Sequence, residues 1–126
     1  MNRPIAIAIV AGCLIGIYAA GTTHTYRITQ EMQNKLTATE QIALSGKSDK
    51  AKESAEEMQR FWEEEEKRLM LYIRHNDIDL VAKNLSELTQ LIQFGDTAEF
   101  CAKLNETQVL VKHIWESDLP LPKNIL

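Results

Sequence analysis

The sequence predicts an all-α protein, in which an N-terminal transmembrane helix precedes an up-and-down antiparallel bundle of three to four helices. Three observations lead to this prediction. An uncharged apolar run lies near the N-terminus, apolar residues then recur at intervals of three and four, and only short connections separate these periodic segments. No segment shows the alternating pattern that is typical of a β-strand.

The apolar run extends from Pro4 to Gly21 without a charged residue. As a helix it would be about 27 Å long, enough to cross the hydrocarbon core of a bilayer. We therefore divide the chain into a short cytoplasmic end (1–3), a transmembrane anchor (4–21) and an extracytoplasmic helical domain (22–126). Arg3 precedes the run, so the positive-inside rule predicts a single-pass protein of the cell membrane with a cytoplasmic N-terminus.

Two alternatives to a retained anchor stay open. Ala19 and Gly21 fit the small-residue pattern of a signal-peptidase site, which would make the run a cleaved signal peptide. The residues from Val10 to Cys13 are similar to a bacterial lipobox, but the sequence stays apolar after the cysteine. Small residues also form a stripe that would let two such helices approach closely: Ala8, Gly12, Gly16 and Ala20.

The domain beyond the anchor begins with two apolar-periodic segments. The first has Ile28, Met32, Leu36 and Ile42, nothing separates it clearly from the anchor, and it ends near Gly46. We expect Ser48 to cap the second, which runs from about Asp49 to Arg74. Its seam consists of Ala51, Ala55, Met58, Trp62, Leu69 and Tyr72, with Glu65 off the pattern. The run Glu63–Glu66 could be an anion patch or metal site, but pairing with Lys67 and Arg68 on a solvated face is the simpler interpretation.

Two further helices are predicted after a turn at 75–77. Asn76 or Asp77 should cap the third, whose apolar positions are Ile78, Val81, Leu85, Leu88 and Ile92. Gly95 ends that helix, and Asp96 with Glu99 forms a capping box for the fourth. The fourth helix is marked by Phe100, Leu104, Val111, Ile114 and Trp115. A Pro-containing tail from about residue 117 follows, with Pro120 and Pro122.

Composition excludes several functional classes. The chain has 126 residues and a net charge of −4, and beyond Arg3 it carries 13 basic against 18 acidic residues, or −5. Such a domain repels phosphate, so we expect no nucleic-acid partner and no binding to anionic lipid through charge. Cys13 lies in the anchor and Cys101 far beyond it, so no intramolecular disulfide is expected.

Catalytic motifs are missing from the sequence. A di-iron bundle needs Glu-x-x-His pairs, but the residues three before the histidines are Gly21, Tyr72 and Leu110. There is no zinc-ligand spacing, no serine elbow and no glycine-rich phosphate loop. We therefore expect no enzyme, no cofactor, and no catalytic, cofactor-binding or metal-binding residues.

The strongest remaining group of polar residues is His75, Asp77 and Asp79, with Asn76 between them. These side chains could hold a divalent ion, but residues of this type at a helix start also satisfy free backbone N–H groups and interact favourably with the helix dipole. We therefore interpret these residues as a helix cap and not as an ion site. The sequence places no second histidine or cysteine at the usual zinc-ligand spacing from His113, which is taken as a structural or surface histidine.

The stretch from Trp62 to Ile92 resembles a known family. An aromatic residue and a periodic helix precede the sequence Arg-His-Asn-Asp-Ile-Asp at 74–79, and the chain closes with Asn-Ile-Leu at 124–126. In these features the chain is similar to a domain-of-unknown-function family of small bacterial proteins with one N-terminal span. The resemblance implies a helical fold and a bacterial cell-envelope location. The family has no assigned activity, so no functional residue is carried over.

These observations favour a non-enzymatic, membrane-anchored envelope protein that contacts another protein or a second copy of itself. The alternative is an extracytoplasmic sensor or ligand-binding module, which would need a partner because only three residues precede the span. A continuous apolar interior with an exposed apolar patch would favour the first, and an inward-facing polar cluster at the bundle centre the second. The biological process, the partner or ligand and the oligomeric state cannot be read from the sequence.

Overall fold

The computed structural model describes residues 3–118, and over that range the chain is helical without β-strands. Helix α1 spans Arg3–Leu44, α2 Ser48–Leu69, α3 His75–Gln93 and α4 Thr97–His113, and a short π-helical segment, Ile114–Asp118, follows. Helix α1 packs against α2 and α4, and α3 packs against the same two helices. The connections are too short for anything but antiparallel neighbours, so the predicted all-α, up-and-down bundle is confirmed. The expected tail at Pro120 and Pro122 lies outside the described residues.

Helix α1 runs unbroken from the apolar segment into the bundle, as the lack of a breaker in the sequence suggested. Residues 3–20 are exposed on every side, and the first buried residue is Gly21. The apolar part has a mean hydropathy of 2.2, and its length and composition are sufficient for a membrane span. A signal sequence near the N-terminus would have the same length and composition. We call the end of the bundle at Gly21 the basal end. The opposite end, which contains the connections 45–47 and 94–96, is the distal end.

The bundle interior is mainly apolar. All the seam and core positions named from the sequence are buried, apart from Ile42, Tyr72 and Trp115, which are half-buried. Four threonines and Asn84 are also buried. Thr29, Thr39 and Thr107 each donate their hydroxyl to a carbonyl of their own helix at 2.7 Å. The hydroxyls of Thr29, Thr39 and Thr107 are therefore satisfied inside their own helices. Thr25 Oγ1 and Asn84 Nδ2, in contrast, have no hydrogen-bond partner among the described residues.

The two glycine turns at the distal end follow the sequence prediction. Gly46 and Gly95 have φ of 79° and 77°, the left-handed conformation that glycine adopts without strain. At the end of α3, the amides of Gly95 and Asp96 donate to Ile92 and Leu91 at 3.2 and 3.0 Å, as in a Schellman motif. The Asp96 carboxylate then accepts from the Glu99 amide at 3.2 Å, which confirms Asp96 as the cap of α4.

Other expected helix boundaries are wrong. Helix α2 ends at Leu69 and not near Arg74, because residues 70–73 turn back across the basal end. Lys47 and Arg74 occupy the N-cap positions of α2 and α3, and neither cap makes a side-chain hydrogen bond. Ser48 is already the first residue of its helix. His75 likewise begins α3, so Asn76 and Asp77 lie inside the first turn and do not cap it.

Candidate functional site

The polar group predicted at the start of α3 does not come together as an ion site. His75 Nε2 lies 3.3 Å from Asp79 Oδ2, one turn further along the same helix. Asp77 Oδ2 lies instead 3.6 Å from Arg74 Nε. Within residues 3–118, no three His, Cys, Asp or Glu side chains are grouped so that they could hold a metal. The three side chains are thus divided between two separate contacts, His75 with Asp79 and Asp77 with Arg74.

The other singled-out residues are dispersed. Cys13 is exposed on the apolar segment and Cys101 is half-buried on α4, and both are free thiols. Burial, and to a smaller extent the charge of Glu40, raises the pKa of the Cys101 thiol above its usual value. A thiol of this kind is a poor nucleophile. His113 is exposed on the last turn of α4.

The basal end has a polar contact that sequence reasoning missed. His24 Nε2 lies 3.1 Å from Glu65 Oε2, and this joins α1 to α2 across 41 residues of sequence. The Arg27 guanidinium lies 3.3 Å from His24 Nδ1, which fits the tautomer with its proton on Nε2. Glu65 is also 3.9 Å from Arg68, three residues further along α2. The sequence signal that could have indicated this contact was Glu65 itself, because it is a carboxylate at a position of the apolar seam of α2.

This basal contact holds two helices together and offers little to a ligand. The Glu65 side chain is 17% exposed and that of His24 is 25% exposed, and each already has a charged or polar neighbour. It lies at the basal end of the bundle and not at its centre. We therefore assign it to the packing of α1 on α2.

The distal end has a cleft lined by both apolar and charged side chains. A cleft of about 390 Å³ lies between the end of α3 and the start of α4. Its lining combines apolar, carboxylate and amide side chains with one lysine: Glu87, Gln90, Leu91, Phe94, Asp96, Glu99 and Lys103. At its edge the Phe94 side chain is 83% exposed, because the Schellman turn after α3 carries position 94 outside the bundle.

The charges around the distal cleft are mainly negative. Lys103 Nζ lies 2.9 Å from a carboxylate oxygen of Glu87 and 2.9 Å from one of Glu106. The hydrogen bond from Lys103 lowers the pKa of Glu87, and the two carboxylates raise the pKa of Lys103. One lysine is thus shared by two carboxylates, while Asp96 and Glu99 add negative charge at the mouth. The cleft suits an apolar group with a cationic neighbour.

The class that this fold and these surfaces define is a helical-bundle domain carried on a long apolar N-terminal helix. The chain belongs to the family described as "Domain of unknown function (DUF4363)", whose model matches residues 20–125. That match begins one residue before Gly21, so the family model covers the bundle and its C-terminal continuation, not the apolar segment. The resemblance to a domain-of-unknown-function family is confirmed. No curated protein and no solved structure matches the chain.

Proposed function

We propose that the protein is a non-enzymatic, membrane-anchored envelope protein whose bundle contacts a partner protein through the distal cleft. The observation that carries this proposal is Phe94, a large aromatic side chain 83% exposed at the edge of the cleft. Exposed aromatic residues beside a concave surface are typical anchors of protein interfaces. The mainly apolar interior, in which Asn84 and four threonines are the buried polar residues among those described, supports the same function.

The anchor would set where this contact takes place. With residues 4–21 retained in the cell membrane and the N-terminus cytoplasmic, the bundle stands on the extracytoplasmic side. The segment of α1 from Gly21 to Leu44 extends for about 36 Å at 1.5 Å per residue. The distal cleft would therefore face away from the bilayer, where an envelope partner can reach it.

The chemistry of the cleft specifies the partner's contact group. Leu91 and Phe94 offer apolar contact, whereas Glu87, Asp96 and Glu99 surround it with carboxylates. A complementary partner presents an apolar side chain flanked by Lys or Arg. The negative charge of the bundle as a whole argues against nucleic acid as that partner.

Site-specific photocrosslinking tests the proposal. A benzophenone amino acid at Phe94 is expected to give a discrete adduct in membranes, whereas the same group at Val109 should not. Val109 is a matched control because it is 62% exposed on α4 and does not line the cleft. Glu99→Lys should reduce the adduct, because it reverses a charge at the cleft. Equal crosslinking from both positions, or an adduct insensitive to Glu99→Lys, would contradict the proposal.

The mass of the adduct also identifies the type of partner. A product of twice the chain mass would mean that the cleft binds a second copy, with the stripe at Gly12 and Gly16 as a second point of self-association. Both glycines lie on the exposed apolar segment, and a Cβ added at either meets nothing within 4 Å. Replacing both with Ile should then weaken the dimer without unfolding the bundle.

A second candidate function, extracytoplasmic sensing, is favoured by the continuity of α1. The helix passes from the apolar segment into the bundle without a break, so a tilt of the bundle would be transmitted to the span. Inserting two glycines between Ala20 and Gly21 separates the two functions. The insertion should abolish a sensor's output, but it should leave crosslinking at Phe94 intact if the protein only holds a partner.

A further inference from the structure

We infer that the turn between α2 and α3 docks into the surface of the bilayer beside the exit of the anchor. This inference rests on the anchored part of the proposed function and is independent of the distal cleft. The turn comprises residues 70–74 and is called the basal turn below. It exposes two adjacent apolar side chains, Met70 at 39% and Leu71 at 76%.

The position of the basal turn is fixed against the anchor. Tyr72 packs on Gly21 so closely that a Cβ at position 21 would overlap its ring. Gly21 is the last residue of the apolar run and is followed by the polar residues 22–25, so it marks where α1 leaves the hydrocarbon of the bilayer. The residue before Tyr72 is therefore held at the level of the bilayer surface. No hinge separates the turn from the span.

The basal turn is also rigid enough to keep Leu71 pointing outwards. The Leu71 and Tyr72 amides donate to Arg68 and Leu69 at 3.2 and 3.0 Å, and the Ile73 amide donates to Leu69 at 2.9 Å. Leu69 is fully buried and Ile73 is 5% exposed, so the residues on both sides of Leu71 are packed into the bundle core. Water is a poor solvent for a leucine fixed in this way, whereas the boundary of a bilayer is a good one.

A second feature at the same end fits a lipid surface. The Tyr26 and Trp115 rings pack edge to face with centroids 5.5 Å apart, and Tyr26 is 42% exposed. Tyr26 lies five residues beyond Gly21, about 7.5 Å along the helix, which is the depth of the lipid headgroups. Tyrosine and tryptophan are enriched in that layer. Apolar contacts to lipid would thus lie on both the α2 and the α4 sides of α1.

The charges near the basal turn permit this docking without driving it. Arg68 precedes the turn and Arg74 is its last residue, and their side chains are 69% and 71% exposed. Long cationic side chains of this type keep their charge in the headgroup layer while the neighbouring apolar groups enter the membrane. Their partners Glu65 and Asp77 offset the charge, so contact through Leu71 and Met70 is the attractive contribution.

Fluorescence in vesicles tests the inference on the full-length chain. A nitrobenzoxadiazole dye is attached to Leu71→Cys in a Cys13→Ser, Cys101→Ser background, reconstituted in phosphatidylcholine and phosphatidylglycerol. Leu44→Cys is the matched control, because it is an equally exposed leucine (69%) at the distal end. We expect a blue-shifted emission at position 71 and several-fold stronger quenching by spin-labelled lipid than at position 44.

A third dye position separates failure of this inference from failure of the anchor. Ile15→Cys places the dye in the middle of the apolar segment, where a retained span must be quenched by lipid. Quenching at position 15 with equal, weak quenching at 71 and 44 would overturn the docking of the basal turn and leave the anchor standing. Weak quenching at all three would overturn both.

Discussion

The Tyr72 ring lies where the Cβ of any larger residue at position 21 would have to be. Gly21 is the first buried residue of α1, and Tyr72 lies in the turn that joins α2 to α3. The contact therefore joins the start of the bundle to the connection between α2 and α3 at the same, basal end. A glycine in the interior of a long helix usually costs stability relative to alanine, so its presence here is explained by the space that Tyr72 needs.

Gly21→Ala is expected to destabilise the bundle by about 1–2 kcal/mol, because the added methyl group overpacks against Tyr72 and the ring must move. The measurement is thermal or denaturant unfolding of the full chain in detergent, followed by circular dichroism.

The control for this prediction is the same substitution in a Tyr72→Ala background. With the ring removed, Gly21→Ala should be neutral or stabilising by about 0.5–1 kcal/mol through helix propensity alone. If the cost were the same with and without Tyr72, the contact would not be its cause.

The apolar core could be predicted from the sequence because its signal is local. Trp62, Leu85 and Phe100 each lie in a segment whose apolar residues recur with the helical period, and all three are fully buried. The turns at Gly46 and Gly95 were predictable for the same reason, since glycine at a helix end is a local signal.

Features that depend on residues far apart in the sequence could not be predicted from local patterns. The contact of His24 with Glu65 depends on the axial register of α1 against α2. The sequence of either helix alone does not determine that register. The end of α2 at Leu69 was missed because no Gly or Pro marks it and Tyr72 continues the apolar spacing. The chain turns there because Tyr72 packs on Gly21 and Ile73 enters the core. The distal cleft was missed because exposure of Phe94 depends on the turn that follows it.

Trp62→Ala is expected to destabilise the bundle by about 3–5 kcal/mol, the usual cost of emptying a large core site. Trp62 is fully buried, and its indole Nε1 donates to the Ile78 carbonyl at 3.2 Å, so both packing and a hydrogen bond are lost. Total stabilities of about 5–15 kcal/mol leave little margin for such a loss. The matched control is Phe61→Ala, which removes a neighbouring but only half-buried ring beside Lys35. Equal melting temperatures for the two variants would refute the core role of Trp62.

Stability is expected to depend on pH through Glu87 at the distal cleft. The Lys103 ammonium lowers the pKa of Glu87 below its ordinary value of 4.5 in the folded state. The contribution of a carboxylate with a lowered pKa is fully present above that value and is lost as the pH falls through the folded-state pKa. Glu87→Gln should therefore cost at most about 1 kcal/mol at pH 7, as for a partly exposed ion pair, and progressively less in acid.

Denaturant titrations of the wild type and Glu87→Gln at pH 7 and below pH 4.5 measure this dependence. Glu106→Gln is the matched control, since it removes the other carboxylate on Lys103 while leaving the Glu87 pair. A difference between wild type and Glu87→Gln that grows as the pH falls would have the wrong sign.

Divalent metal ions are expected to leave the stability of the protein unchanged. His75 pairs with Asp79 and Asp77 lies next to Arg74, so the groups do not converge on one point. A genuine site would stabilise the fold by mass action, about 2.7 kcal/mol at a hundredfold excess over the dissociation constant. That would raise the melting temperature by several degrees for a domain of this size.

The experiment melts the full chain in detergent, first with chelator and then with calcium, manganese or zinc. The expected change is no more than a degree or two. His75→Ala should have a small effect that is independent of metal, because its pair with Asp79 is largely exposed, at 65% and 59%. Asp77→Asn should cost about 0.3–1 kcal/mol whether or not metal is present, since Asp77 is the acidic residue in the first turn of α3. A large shift with metal that His75→Ala abolishes would mean that these residues rearrange into a binding site, and the two separate ion pairs would then be the wrong description of this turn.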